Sequence, residues 1–253
     1  MKALSRLWMS AVILLVWASC CYASPETLIF YSYHNAPPFI INSDSASGLN
    51  YDFVKAMQLA VGEKYTIEYQ FIDRVALNQR LAEDKPTILM WANPKWFDVQ
   101  GLNFSWTQAT FLDSDVVVSL RSSSFKYEGQ ESLLGKTVGA RAGHNYSAAV
   151  PLLGSEKIKR VDASSDEENI ENLLSGKVDA IFIVRSSALY IARAKGYVPS
   201  LYMSKKPLYT YRRYLLLTHH YQHVMDDVDR AIMDLSDQFF WQKRLKLYDL
   251  NSL

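Results

Sequence analysis

Leu28 to Met57, LIFYSYHNAPPFIINSDSASGLNYDFVKAM, limits the possible folds more tightly than any other stretch of the chain. Leu28, Ile29, Phe30 and Tyr31 make a short apolar, aromatic run, as a buried strand does. The run breaks at Asn35-Ala36-Pro37-Pro38, where two prolines forbid helix and force an extended turn. After Gly48 the spacing becomes helical: Tyr51, Val54, Lys55 and Gln58 share one face, with Phe53, Met57 and Ala60 on the next. Strand, proline-stiffened loop and helix form the first unit of an α/β domain. The loop leaves the carboxyl end of the strand, where open α/β sheets bind ligands.

Upstream of this unit, Lys2 and Arg6 precede an apolar run from Ala11 to Ala18, and Cys21-Tyr22-Ala23 ends in a small residue. That order predicts a secretory signal peptide over residues 1–23, cut after Ala23, and places the mature protein in the periplasm. The apolar core is shorter than the roughly 20 residues of a spanning helix. Both cysteines, Cys20 and Cys21, leave with the leader, which excludes cysteine catalysis, cysteine metal sites and disulfides. Lys2 and Arg6 leave too, so 27 basic residues become 25 against 26 acidic ones, a net charge near −1. No surplus charge argues for nucleic acid or an anionic membrane. The remaining length of about 230 residues can bury an ample core.

Further along, strands are expected at Tyr65–Phe71, Thr87–Trp91, Asp115–Leu120, Thr137–Ala140, Lys157–Val161, Val178–Val184 and Leu215–Thr218. Helices are expected at Val75–Glu83, Tyr146–Leu153, Asp166–Leu174 and Ser186–Lys195, with one or two more over Met225–Tyr248. Lys95–Thr107 reads as loop, and the polar run from Arg121 to Ser124 as a boundary. Strand and helix alternate throughout, which gives an α/β class with largely parallel sheets.

Five landmarks in order make the chain resemble the bacterial extracellular solute-binding proteins of family 3. They are Ala36-Pro37-Pro38-Phe39, then Gly48 to Met57, then Asn103-Phe104-Ser105 with Trp106, then Leu134 to Gly139, and Gly176 to Ala180. The C-terminal helix with Trp241 and Tyr248 also fits. The resemblance implies a type II periplasmic-binding-protein fold, two lobes that are each a mostly parallel sheet flanked by helices. It puts lobe one at residues 24–117 plus 213–253 and lobe two at 118–212, closing on ligand by a hinge motion. It also implies a monomer without cofactor or metal, which hands a small molecule to an ABC transporter permease or a membrane sensor.

The departures from the family are at the ligand clamp. The arginine expected before the Asp-Phe-Ser element is missing from Asn93-Pro94-Lys95-Trp96-Phe97-Asp98, and Lys95 offers only a point charge. Val184 and Arg185 stand where relatives place an aspartate for the amino group, and Ala36 where they place a stacking ring. An α-amino acid would lose all three partners. The loops at strand ends offer a different lining: Tyr33, His34, Trp91, Asn93, Lys95, Arg141, His144, Asn145, Tyr146 and Arg185, with Tyr31, Asn35, Trp96 and Ser186 nearby. Rich in rings, amides and cations and poor in acids, this set predicts a small polar or aromatic ligand with an acidic group. Tyr31 and Trp96 have a plainer role as packing.

Other motifs are weaker. His219, His220 and His223 include an i, i+4 pair that could hold a metal, but the sequence fixes no third ligand, and a polar helix start explains them. Gly135-Lys136-Thr137 mimics the end of a phosphate loop whose first glycine, Gly129, is misplaced by one residue. Two alternatives stand beside the solute-binding reading. A dehydratase of the cyclohexadienyl type would need a cleft acid of raised pKa, for which Asp98 is the nearest candidate. A degenerate protein-contact module would need no ligand at all.

Overall fold

The computed structural model describes residues 24–97 and 104–250. The leader, Asp98 and Asn103 lie outside them. The first unit forms as expected: β1 (Glu26–Ser32), a loop, and α1 (Leu49–Val61). α1 buries Leu49, Asn50, Phe53, Ala56 and Met57, so Phe53 and Met57 face the core and Tyr51 and Val54 lie at its margin.

The loop closes back on the helix. Leu49 N–H donates to the Pro38 carbonyl (2.8 Å) and Asn50 N–H to that of Phe39 (3.1 Å), which satisfies donors that a helix start leaves open. Gly48 allows this approach, because it has φ 130° and a Cβ there would lie 2.6 Å from the Phe39 oxygen. Gly48→Ala is expected to cost at least about 2 kcal/mol, read as a lower urea midpoint at unchanged slope.

The chain continues through β2 (Tyr65–Phe71), α2 (Arg74–Ala82), β3 (Ile88–Ala92), the short α3 (Pro94–Phe97) and β4 (Ser105–Trp106). β5 (Phe111–Leu120) starts four residues earlier than the apolar run suggests, because Asp113 interrupts the pattern without interrupting the strand. Then come β6 (Thr137–Arg141), β7 (Lys159–Ala163), α4 (Asp166–Leu174), β8 (Ala180–Val184), α5 (Arg185–Ala194), β9 (Leu201–Met203) and β10 (Tyr209–Leu217). A 3₁₀ turn at His219–Val224 leads into α6 (Met225–Ser236) and α7 (Phe239–Leu247). None of the described helices is long and apolar enough to cross a membrane.

Tyr146–Leu153 is a set of turns, not the expected helix. Ala149 and Val150 close one turn on the Tyr146 carbonyl, and Pro151, with no N–H to donate, stops it. β9 has no counterpart among the expected strands, being only three residues long.

The strands form one path, β2-β1-β3-β10-β5-β8-β6-β7, with β4 on β10 and β9 on β5. Pairing is parallel for β1 with β2 and β3, and for β6 with β7 and β8. β5 and β10 pair antiparallel with every neighbour, so parallel sheet occupies both flanks and an antiparallel pair joins them. β10 changes partner along its length: Tyr209 to Arg213 lie on β5, whereas Tyr214 to Leu217 lie on β3.

Phe30, Phe53, Met57, Trp91, Phe111, Leu215 and Trp241 anchor the core of the first half, and α6 and α7 cover it. Separate cores lie on the two faces of the second half, around Ile181 and Ile183 on one side and Ala180 and Phe182 on the other. Alternation along β8 divides them, as period two requires.

Candidate functional site

The polar centre of the molecule lies on one face of the β5–β10 pair. Period-two alternation puts Asp113 and Asp115 on the same side of β5 as Phe111, and Tyr209, Tyr211 and Arg213 on one side of β10. The register sets Asp115 opposite Tyr209, Asp113 opposite Tyr211, and Phe111 opposite Arg213. The other face of β10 carries Arg212 and Tyr214, which line a separate cavity of about 390 Å³ with Gln108, Thr110 and Ser236.

Arg213 is 1% exposed. Its Nη1 lies 3.1 Å from the Trp91 carbonyl oxygen and 3.0 Å from His34 Nε2, and its Nη2 lies 3.3 Å from the Tyr211 hydroxyl. Trp96, Tyr211 and Phe39 stand around the guanidinium at 5.1, 4.8 and 5.4 Å, within cation–π range. Trp91 takes φ 64°, a conformation an L side chain rarely adopts. It lies between Leu89 and Ala92, where the β3–β10 register shifts, and its carbonyl meets Arg213.

His34 Nε2 is also 3.4 Å from the Trp91 carbonyl oxygen. One ring nitrogen cannot both accept and donate. A guanidinium only donates, so Nε2 accepts the shorter contact and the ring proton sits on Nδ1. Burial, and then the Arg213 charge, hold His34 well below the usual histidine range, in keeping with a neutral ring.

Opposite the cation lie three acids. Asp113 Oδ2 stands 3.8 Å from Arg213 Nη2, an ion pair too long for a hydrogen bond, and accepts from the Ser186 hydroxyl at 2.8 Å. The Tyr211 hydroxyl lies 3.5 Å from Asp115 Oδ1, and Tyr209 stands opposite Asp115 in the register. Burial pushes the Asp115 carboxyl up to about 6, and the Arg213 charge lessens that rise without cancelling it. Asp166, at the start of α4, faces Arg141 at 3.7 Å, and burial raises its pKa as well. Tyr146, buried edge-on against Phe182, has its hydroxyl proton held more tightly by burial and by the nearby Asp115 and Asp166 charges.

The ten expected site residues divide. His34, Arg141 and Tyr146 join the cluster, and Arg141 Nη2 reaches Asn35 Oδ1 in the loop after β1 at 3.3 Å. Tyr33 stacks on His34 (4.2 Å between centroids) while Arg74 covers its ring. His144 is an exposed neighbour of Tyr146, 3.5 Å from its hydroxyl.

The other five are turned elsewhere. The Trp91 side chain is wholly in the core, its indole N–H on Asn50 Oδ1 at 2.6 Å, so only its carbonyl contributes. Asn93 spends its amide on the Arg212 carbonyl and its oxygen on the Lys95 N–H, capping α3. Lys95 points to solvent. Asn145 closes a turn on Ser147 N–H. Arg185 donates to the Asp249 carbonyl at 2.9 Å, and Arg193 pairs with the Asp249 carboxylate, so both tie α5 to the C-terminal segment. Tyr31 is core, with Arg80 over its ring.

The cluster is not poor in acids. Asp113, Asp115, Asp166 and Arg213 are its main charges, and all four lie on strands or a helix start that a search of loops passes over. Alternation in FLDSDV and YTYRRY was the signal that could have found three of them.

No family model matches the chain, and no curated protein matches it. Solved structures do. A substrate-binding protein of an ABC uptake transporter from Streptococcus pneumoniae, with bound histidine, is 16% identical with a TM-score of 0.68; the match covers 88% of this chain and 92% of that one. The GluR0 ligand-binding core from Nostoc punctiforme, in complex with L-glutamate, is 17% identical with a TM-score of 0.66, covering 87% and 98%. Holo ArgBP from T. maritima is 18% identical with a TM-score of 0.63, covering 88% and 96%. At these identities the likeness is one of fold. The chain has the two-lobed fold of the type II periplasmic binding proteins, and its resemblance to the family 3 solute-binding proteins is at that level.

Proposed function

We propose that the chain is a secreted, periplasmic solute-binding protein. It would capture a small polar or aromatic ligand that carries a positively charged nitrogen and deliver it to an ABC importer or a membrane sensor. The observation that carries this reading is Asp115, a buried carboxyl with tyrosine hydroxyls around it and no ion-pair partner among the described residues. A ligand ammonium would supply the missing charge, and Tyr146, Tyr209 and Tyr211 the aromatic walls. Arg213, with His34 and Tyr211, offers a counterpart for a carboxylate, so a zwitterion is within this class although the usual clamp positions are changed. Lobe boundaries at 24–117 plus 213–253 and at 118–212 agree with β10 passing from β5 to β3 after Arg213. Arg141 to Asn35 is then a contact between lobes.

A thermal-shift screen of amines, amino acids, aromatic acids, sugars and nucleobases tests the reading. The expected hits are cationic or zwitterionic, and Asp115→Asn abolishes their shift. Stabilisation by aromatic acids alone, unaffected by that change, would overturn it. A buried acid titrating near 6 is also what the dehydratase alternative requires. Recovery of the bound compound unchanged after long incubation is the expected outcome, and its conversion would favour the enzyme.

A further inference from the structure

We propose that Asp84, His219 and His220 form a surface site for a divalent transition-metal ion of the zinc class. The carboxylate is the third ligand that the histidine sequence lacks by itself. Asp84 lies in the turn between α2 and β3, and the two histidines open the 3₁₀ turn after β10, so only folding brings them together. The ligand atoms of the three residues all lie within 4.8 Å of one another.

Toward the Asp84 carboxylate the geometry suits a metal better than it suits hydrogen bonds. His219 Nδ1 lies 3.4 Å from Asp84 Oδ1 and His220 Nε2 lies 3.6 Å from Oδ2, so each ring faces its own oxygen of one carboxylate. These separations are at or beyond the limit of good hydrogen bonds. Ligand atoms held at roughly 2.0–2.1 Å around tetrahedral zinc stand about 3.3–3.4 Å apart. The two rings lie 4.0 Å apart by centroid, tilted by 34°, and face the same carboxylate. His220 Nε2–H now donates to the Asp84 carbonyl at 2.7 Å, and a metal would replace that proton.

The scaffold is firm even though the ligands are exposed. Thr218, next to His219, donates its N–H to the Thr87 carbonyl (3.0 Å), and Thr87 N–H donates to the Thr218 hydroxyl (3.0 Å). Both threonines are buried, 0% and 2% exposed, so the two loops are clasped just beneath the site. Two imidazoles and a carboxylate are a borderline-ion set, and exposure leaves a fourth position to water or to a partner's ligand. The site follows the end of β10, roughly 13 Å of strand beyond Arg213, so it is separate from the cleft.

The test is calorimetric titration of the protein, prepared without a histidine tag, with zinc chloride. The expected result is saturable binding of one equivalent. Loss of outer-shell partners alone costs about 10–100-fold in affinity, so Asp84→Asn, His219→Ala and His220→Ala are each expected to weaken binding at least tenfold. His223→Ala, whose ring sits on the Glu26 carboxylate at 3.0 Å, is expected to bind zinc as wild type does. An unchanged urea midpoint in the ligand variants shows that the fold is intact. No saturable binding by wild type, or equal binding by the His219→Ala/His220→Ala double variant, would overturn the proposal and leave a plain histidine–aspartate ion pair.

Discussion

Asp115→Asn is expected to make the ligand-free protein more stable than wild type at pH 7.5, by up to about 3 kcal/mol, and most of the gain is expected to disappear by pH 4. The folded protein holds this carboxyl at about 6 against an ordinary 3.8, chiefly through burial. Each tenfold change in proton affinity corresponds to about 1.4 kcal/mol. Above pH 6 the folded state must carry a charge that burial disfavours. As pH falls from 6 to 3.8 it binds a proton that the unfolded chain does not yet bind, and wild type gains stability. Below 3.8 both states are protonated and the difference ends. His34 works the other way: held below 6.5 in the fold, it costs stability once the unfolded chain begins to protonate. His34 is common to both proteins, so the wild-type-minus-variant difference isolates Asp115. Urea titrations at pH 4, 5, 6 and 7.5 measure it. A variant less stable than wild type at pH 7.5 would mean that the carboxylate is already well compensated.

Arg213→Met is expected to lose about 3–5 kcal/mol, the scale for removing one partner of a buried ion pair. It strands the Asp113 charge, the Trp91 carbonyl and His34 Nε2 together, since Arg213 is what each of them faces. Asp113→Asn in the same chain should recover part of the loss, because the double variant no longer strands a charge at position 113, and a double-mutant cycle gives the coupling. Arg213→Lys should fall between, as a single ammonium nitrogen keeps the charge but cannot span the partners that Nη1 and Nη2 reach separately. Urea midpoints at pH 7.5 read wild type, the two single variants of the cycle, the double variant and Arg213→Lys. Wild-type stability in Arg213→Met would show that the pair contributes nothing net.

The sequence made the fold legible through local rules that tertiary packing reinforces. Apolar β8 and capped α4 stand where periodicity puts them, and Ser165 accepts from Glu168 N–H at the start of α4. It misled where one residue type serves two ends. Trp91 reads as a cleft ring, yet its volume is worth more in the core, and Arg185 reads as a cleft cation, yet it fastens the C-terminal segment. It was silent where strand interiors carry charge. Asp113 and Arg213 break an apolar pattern, and a search for apolar strands trims them off, while Asp115 is left at the first position of its expected strand. The third metal ligand was hidden for a simpler reason, namely that Asp84 and His220 are distant in sequence.

β10 is shared between the two halves of the sheet, and most of the residues proposed to meet the ligand are on it and on β5. In a protein that works by closing, recognition and flexure then draw on the same side chains. The apparent dissociation constant is the intrinsic one divided by the fraction of molecules already closed. A substitution at Tyr211 or Asp113 therefore acts on both factors together, and a lineage changing its ligand through these strands would retune its opening equilibrium in the same step.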